Sequence, residues 1–76
     1  MVYGVSCFDS EQHKILSGIS LHAENFTKAK DAAIGIIPNN TQMIMLIPEG
    51  STVDKAIWYW VGCGRWQDNS GKAIKF

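Results

Sequence analysis

The chain has no surplus of charge: seven Lys or Arg residues stand against seven Asp or Glu in 76 residues. Nucleic-acid modules draw much of their affinity from neutralising phosphate, which takes a basic excess. Lys28 and Lys30 lie close together, but Glu24 and Asp31 flank them. The balance argues against a nucleic-acid partner. Cysteine is scarce too. Cys7 and Cys63 are far apart in sequence, whereas a disulfide-stapled secreted domain usually shows four or more. Two reduced thiols are the simple expectation, and a Cys7–Cys63 bridge between strands is the alternative. No apolar run approaches the ~20 residues that span a bilayer. The start, MVYGVSCFD, lacks the basic leader and long apolar core of a signal peptide. These absences lead to the expectation of a cytoplasmic protein with no membrane contact. Repeats, low-complexity tracts and linkers are also missing, so residues 1–76 read as one small domain.

What is present is apolar: 46% of the residues are hydrophobic and 11% aromatic. Ordering a chain costs roughly 1.5 kcal/mol per residue, and in a small domain apolar burial must offset nearly all of it. This composition is adequate for that and excludes disorder.

Residues 2–8, VYGVSCF, place Tyr3, Val5 and Cys7 on one side and Val2, Gly4, Ser6 and Phe8 on the other. That two-residue period predicts a strand. Polar residues 9–13 read as a loop. KILSGISLH, 14–22, predicts the return strand of a hairpin, with Ile15, Ser17, Ile19 and Leu21 sharing a face. NFTKAKDAAIGII, 25–37, is the clearest helix. Asn25 is a good N-cap, and Phe26, Ala29, Ala33, Ile36 and Ile37 form an apolar stripe. Pro38 disfavours helix at the residue before it. QMIMLI, 42–47, is apolar on both faces, as expected of a strand inside a sheet. PEGSTVDK, 48–55, reads as a loop. AIWYWVGCGRWQ, 56–67, reads as a strand bent at Gly62 and Gly64, and DNSG, 68–71, as a turn. Residues 72–76 would return as a short last strand, an edge able to pair across a dimer. The predicted class is α+β: a mostly antiparallel sheet of about five strands, order β-β-α-β-β-β, with one helix on one face.

The aromatic strand raises the functional question. Extended, Trp58 and Trp60 point one way, while Ile57, Tyr59 and Val61 point the other. One helix covers one face, and Ile57 with Val61 suits it. The Trp58/Trp60 face is then left without cover. Either the sheet curls until the N-terminal hairpin or the last strand folds over the rings, or the rings form a contact surface. Exposed aromatic patches are unusual on monomers, and tryptophan is enriched where proteins bind one another. The second reading makes Trp58, Trp60, Trp66 and Arg65 partner-binding residues, with a homodimer or another protein as partner. Zero formal net charge favours association.

Chemistry finds little to work with. Cys7, His13, His22 and Cys63 lack the paired spacing of a zinc site. Cys7 or Cys63 with His22 is a conceivable thiol–base pairing, but nothing local supports it. The carboxylates are scattered, and Gly62-Cys63-Gly64 lacks the further glycine and helix of a phosphate loop. No catalytic residue, metal or cofactor is expected, and the chain reads as a non-enzymatic interaction module. A compact, motif-free domain of this kind suits an accessory or inhibitor protein of a phage or mobile element. A second reading is a small nucleotide-like ligand stacked on the aromatic rings.

One segment suggests a third reading. Residues 24–54 contain, in order, Ala29-Lys30, Pro38, Gln42 and Pro48-Glu49-Gly50. This order resembles the helix, buried strand and extended loop of the potato-inhibitor-I serine protease inhibitors. The resemblance covers less than half of the chain. It implies a reactive loop around residues 50–55, with Ser51-Thr52-Val53-Asp54 presented to a protease. The paired arginines that brace that loop in the family have one counterpart here at most, Arg65, and the N-terminal hairpin is foreign to the family.

Overall fold

In the computed structural model, which describes residues 1–75, the chain opens as a hairpin of β1, Val2–Phe8, and β2, Lys14–His22. Asp9 closes the connection. Its Oδ1 accepts from the backbone N–H of Glu11 and of His13, at 2.9 and 2.8 Å, and its own N–H donates to the His13 carbonyl. Carboxylates fit such turns because they satisfy backbone donors that the bend leaves unpaired. Tyr3, Val5 and Cys7 are fully buried, as their alternation predicts. Their neighbours across the ladder are Leu21, Ile19 and Leu16. Leu16 therefore stands where Ser17 was expected. The cause is the first of two register shifts in the hairpin, between Val5 and Cys7, where Gly18 at φ +74° lies in the stretch with the extra residue.

The helix α1 runs Phe26–Ile34. Asn25 caps it, its side chain accepting from the Lys28 N–H at 3.0 Å. Ala29 and Ala33 have no exposure at all, and the Phe26 ring lies 5.1 Å from that of Tyr3. The alanines let the helix lie close on the sheet, against β2 and β3, because they put almost nothing in between. The helix stops before the predicted end. Gly35 caps it: the Gly35 N–H donates to the Ala32 carbonyl and the Ile36 N–H to the Ala33 carbonyl. Ile36 falls beyond the cap and is 44% exposed, so it leaves the apolar stripe, while Ile37 still packs on the core.

Three further strands follow: β3, Met43–Pro48; β4, Ile57–Trp60; and β5, Arg65–Gln67. The sheet order is β2-β1-β3-β4-β5, antiparallel at every step. β3 lies between β1 and β4, which explains why both of its faces are apolar. A five-stranded antiparallel sheet with one helix, in the order β-β-α-β-β-β, is the predicted α+β class.

Two strand expectations change. Residues 56–67 are a hairpin and not one bent strand. After Trp60 the chain turns through 61–64, the N–H groups of Cys63 and Gly64 both donating to the Trp60 carbonyl, with Gly64 at φ +69°. Val61 sits in that turn, 38% exposed, instead of under the helix. The expected strand at 72–76 is reduced to a bridge between Gln67 and Ala73 and a bond from the Ile74 N–H to the Trp66 carbonyl. Phe76, and the edge pairing expected there, lie outside the described residues. In the 48–56 connection, Val53–Lys55 form a turn of 3₁₀ helix and Thr52 Oγ1 hydrogen-bonds Asp54 Oδ1. That curl differs from the extended loop implied by the protease-inhibitor resemblance.

Candidate functional site

Residues paired across an antiparallel ladder share a face. The helix side therefore carries Tyr3, Val5 and Cys7 on β1, Ile44 and Leu46 on β3, Ile57 and Tyr59 on β4, and Trp66 on β5. All belong to or pack against one core with Ala29 and Ala33. The other side carries two cross-strand rows. One runs Ser6, Met45, Trp58, Gln67; the other runs Lys14, Phe8, Met43, Trp60, Arg65. No helix covers this side.

Trp66 is thus separated from Trp58 and Trp60. The four-residue turn sets Trp66 opposite Tyr59, their rings 5.1 Å apart, and Trp66 is 6% exposed. It closes the core and does not belong to the open face. Arg65, one residue earlier, pairs with Trp60 and is exposed on the open face.

The rings of the open face do not stand free. Phe8 is on β1 and Trp58 on β4, with β3 between them, so their backbones are two strand spacings apart, about 9.5 Å. Their ring centroids are 6.4 Å apart. The rings must therefore lean toward each other across β3, where Met43 and Met45 lie. Met43, on β3 between them, is 9% exposed. Trp58 Nε1 donates to Asn69 Oδ1 at 3.3 Å, which ties the 68–71 turn to the rim. Asp68 holds that turn. Its Oδ1 accepts from Ser70 Oγ at 2.6 Å and from the N–H groups of Ser70 and Lys72. The Ser70 hydroxyl, then the Lys72 N–H, hold its carboxyl below the usual value. Lys14 Nζ sits 6.0 Å from the centre of the Phe8 ring. Lower on the face, Ile47 lies over Gly4, where an added Cβ would meet its Cγ2 at 3.3 Å. Trp60, 36% exposed, is the most accessible of the rings and stands at the end of the face.

Beyond Trp60 is a cleft of ≈ 230 Å³ lined by Asp9, Ser10, Gln42, Trp60, Gly62 and Cys63. It forms because the 9–13 loop and the 61–64 turn rise on either side of Gln42. The backbone of Gln42 bridges them: its N–H donates to the Phe8 carbonyl and its carbonyl accepts from Val61.

Both thiols are free, Cys7 buried and Cys63 exposed, so the Cys7–Cys63 bridge does not form. Burial pushes the Cys7 thiol up, opposed by the Thr41 hydroxyl. That hydroxyl lies close enough to act on the thiol, yet it is buried without a hydrogen bond of normal geometry. Among the described residues no three His, Cys, Asp or Glu side chains gather to hold a metal ion. His13 lies 3.6 Å from both Asp9 Oδ2 and Glu11 Oε2 at the surface, and His22 ends β2. Among the described residues no helix is long and apolar enough to cross a membrane. Searches against protein families, curated proteins and solved structures return no match.

Proposed function

We propose that the chain is a small, non-enzymatic interaction module of the cytoplasm that docks the open face of its sheet against a protein surface. A second copy of the chain is the partner we test first. The observation that carries this reading is the one-sided cover: α1 closes the Tyr3/Leu46 side, while Phe8, Met45, Trp58 and Trp60 share the side without a helix. The other routes to association are blunted. At one edge, β2 is kinked by Gly18 and two register shifts; at the other, β5 is three residues long with Ala73 bridged beside it. The two longer dimensions of the chain are 29 and 25 Å. A face of that order is comparable to the ~800 Å² that each partner gives to a stable interface. The net charge of zero sets no repulsion between copies.

The test is sedimentation of the wild type beside Trp58→Ala/Trp60→Ala. A wild-type dimer that the double variant turns into a folded monomer supports the proposal. A wild type that stays monomeric and purifies from its source cells without a bound protein sinks it. So does a double variant that unfolds as a monomer, because the rings would then be core.

A further inference from the structure

We infer that the cleft beside Trp60 is a subsite for an amino-bearing nucleobase, adenine being the best fit. This goes beyond the docking surface, since the cleft lies past the end of the face and is shaped by two loops. Three features point to this ligand class. The volume, ≈ 230 Å³, is enough for one planar bicyclic ring. Trp60 supplies an aromatic wall, and stacking on such a wall favours a flat π-system. The polar groups left over are complementary to a base edge. Gln42 is exposed, its backbone N–H and carbonyl are both hydrogen-bonded, and its side-chain amide has no hydrogen-bond partner among the described residues. An amide of this kind pairs with adenine through one donor and one acceptor. Asp9 commits Oδ1 to two backbone N–H groups, while Oδ2 accepts no hydrogen bond among the described residues, with His13 Nδ1 3.6 Å away. An ionised carboxylate only accepts, so it calls for an amino group on the ligand. Uracil has none.

The base arrives as a free nucleoside or as a nucleotide. Arg65 pairs with Trp60 on the adjoining strand and offers a cation to a phosphate; Asp9 in the cleft opposes one.

The experiment is a ¹H–¹⁵N correlation titration of the whole chain with adenosine, AMP and uridine. The three tryptophan indole N–H signals give a built-in control, because Trp60 lines the cleft and Trp66 is buried on the opposite side. Adenosine should produce saturable shifts at the Trp60 indole, the Gln42 side-chain amide, Gly62 and Cys63, and leave the Trp66 indole still. Uridine should bind at least about tenfold more weakly, since a site built to pair polar groups rejects a ligand that leaves them unpaired. Tighter binding of AMP than adenosine identifies a nucleotide acting through Arg65; the reverse identifies a nucleoside. Gln42→Ala should weaken adenosine about tenfold, the discrimination that one bidentate pair commonly supplies, with the Trp66 indole signal unchanged. Trp60→Leu should remove binding; if it also disturbs Trp66, Gln42→Ala decides. Absence of saturable adenosine shifts overturns the inference. So do equal affinities for adenosine and uridine, or shifts confined to the Trp58 region. Trp60 is shared with the docking face, so the titration is read at a concentration where sedimentation shows monomer; its failure there leaves the docking proposal standing, and the converse holds too.

Discussion

The two faces of the sheet are made from alternate residues of the same strands, yet they are closed by different means. On one face a helix with small residues lies against branched side chains, and Ile44, Leu46, Ala29 and Ala33 are left with no exposure. On the other, the sheet covers itself: Phe8 and Trp58 lean in over Met43 and Met45. The first solution excludes water completely and depends on backbones in close approach. The second leaves Met45 half-buried and Trp60 exposed. The lesson is that a central strand apolar on both sides does not need two layers of secondary structure. Large flexible side chains can supply the second layer, and that layer remains available for contact.

Substitutions of neighbouring residues can break this comparison. Leu46→Ala, on the helix side, should cost about 2–5 kcal/mol, the usual range for a buried leucine. Met45→Ala, one residue earlier on the half-buried face, should cost clearly less, as read from urea midpoints. Equal losses would mean that the open face is a core in its own right. Next in size, Ala33→Leu should cost about 1–3 kcal/mol, because the added atoms must push α1 off the sheet. Its counterpart Ser20→Leu, exposed on β2 beside Gly4, should stay within about 0.5 kcal/mol. A large cost at Ser20 would reveal cover on the open face. Asn25→Ala, which affects only the helix side, should cost about 1 kcal/mol for the lost cap and leave the Trp58 and Trp60 signals in place.

The smallest effect concerns the rim. The Asp68 carboxyl is held below its ordinary value in the folded chain. Its contribution is therefore present above the ordinary value and is lost as pH falls through the lowered one. Asp68→Asn should flatten the acid limb of the stability profile, measured by urea midpoints at stepped pH, and loosen Asn69 from Trp58. An unchanged profile would show that the 68–71 turn does not help to hold the rim.

Local pattern made much of this legible. The bounds of β1 and β2, the Asn25 cap and the class of the fold follow from alternation, capping chemistry and the buried run QMIMLI. The sidedness of Trp58 and Trp60 against Ile57 and Tyr59 was readable from the two-residue period. Trp66 was not, because its face depends on the number of turn residues after Trp60, and Val61 continues the apolar pattern straight into that turn. The helix end was misjudged because Ile36 keeps the periodicity after Gly35 has already stopped the helix. The cleft was invisible for a different reason. Asp9, Gln42 and Cys63 come together only because β3 lies between β1 and β4, and no local pattern encodes strand order.

That same strand order has a consequence for the timing of assembly. The β1–β2 and β4–β5 hairpins close over short turns, and such hairpins form within microseconds. β1 meets β3 only after a whole hairpin strand and the helix have been strung between Phe8 and Met43. The entropy of closing that long loop falls before any of its contacts reward it. The junction of β1 with β3 is therefore expected to set the folding rate. Val5→Ala should slow refolding, whereas Gly64→Ala in the last hairpin turn should chiefly hasten unfolding; a chevron in which both changes act on the same limb would refute this order. The first strand made is then the one whose fate is decided last, and until it is, Met43, Met45 and their aromatic cover remain open to other chains.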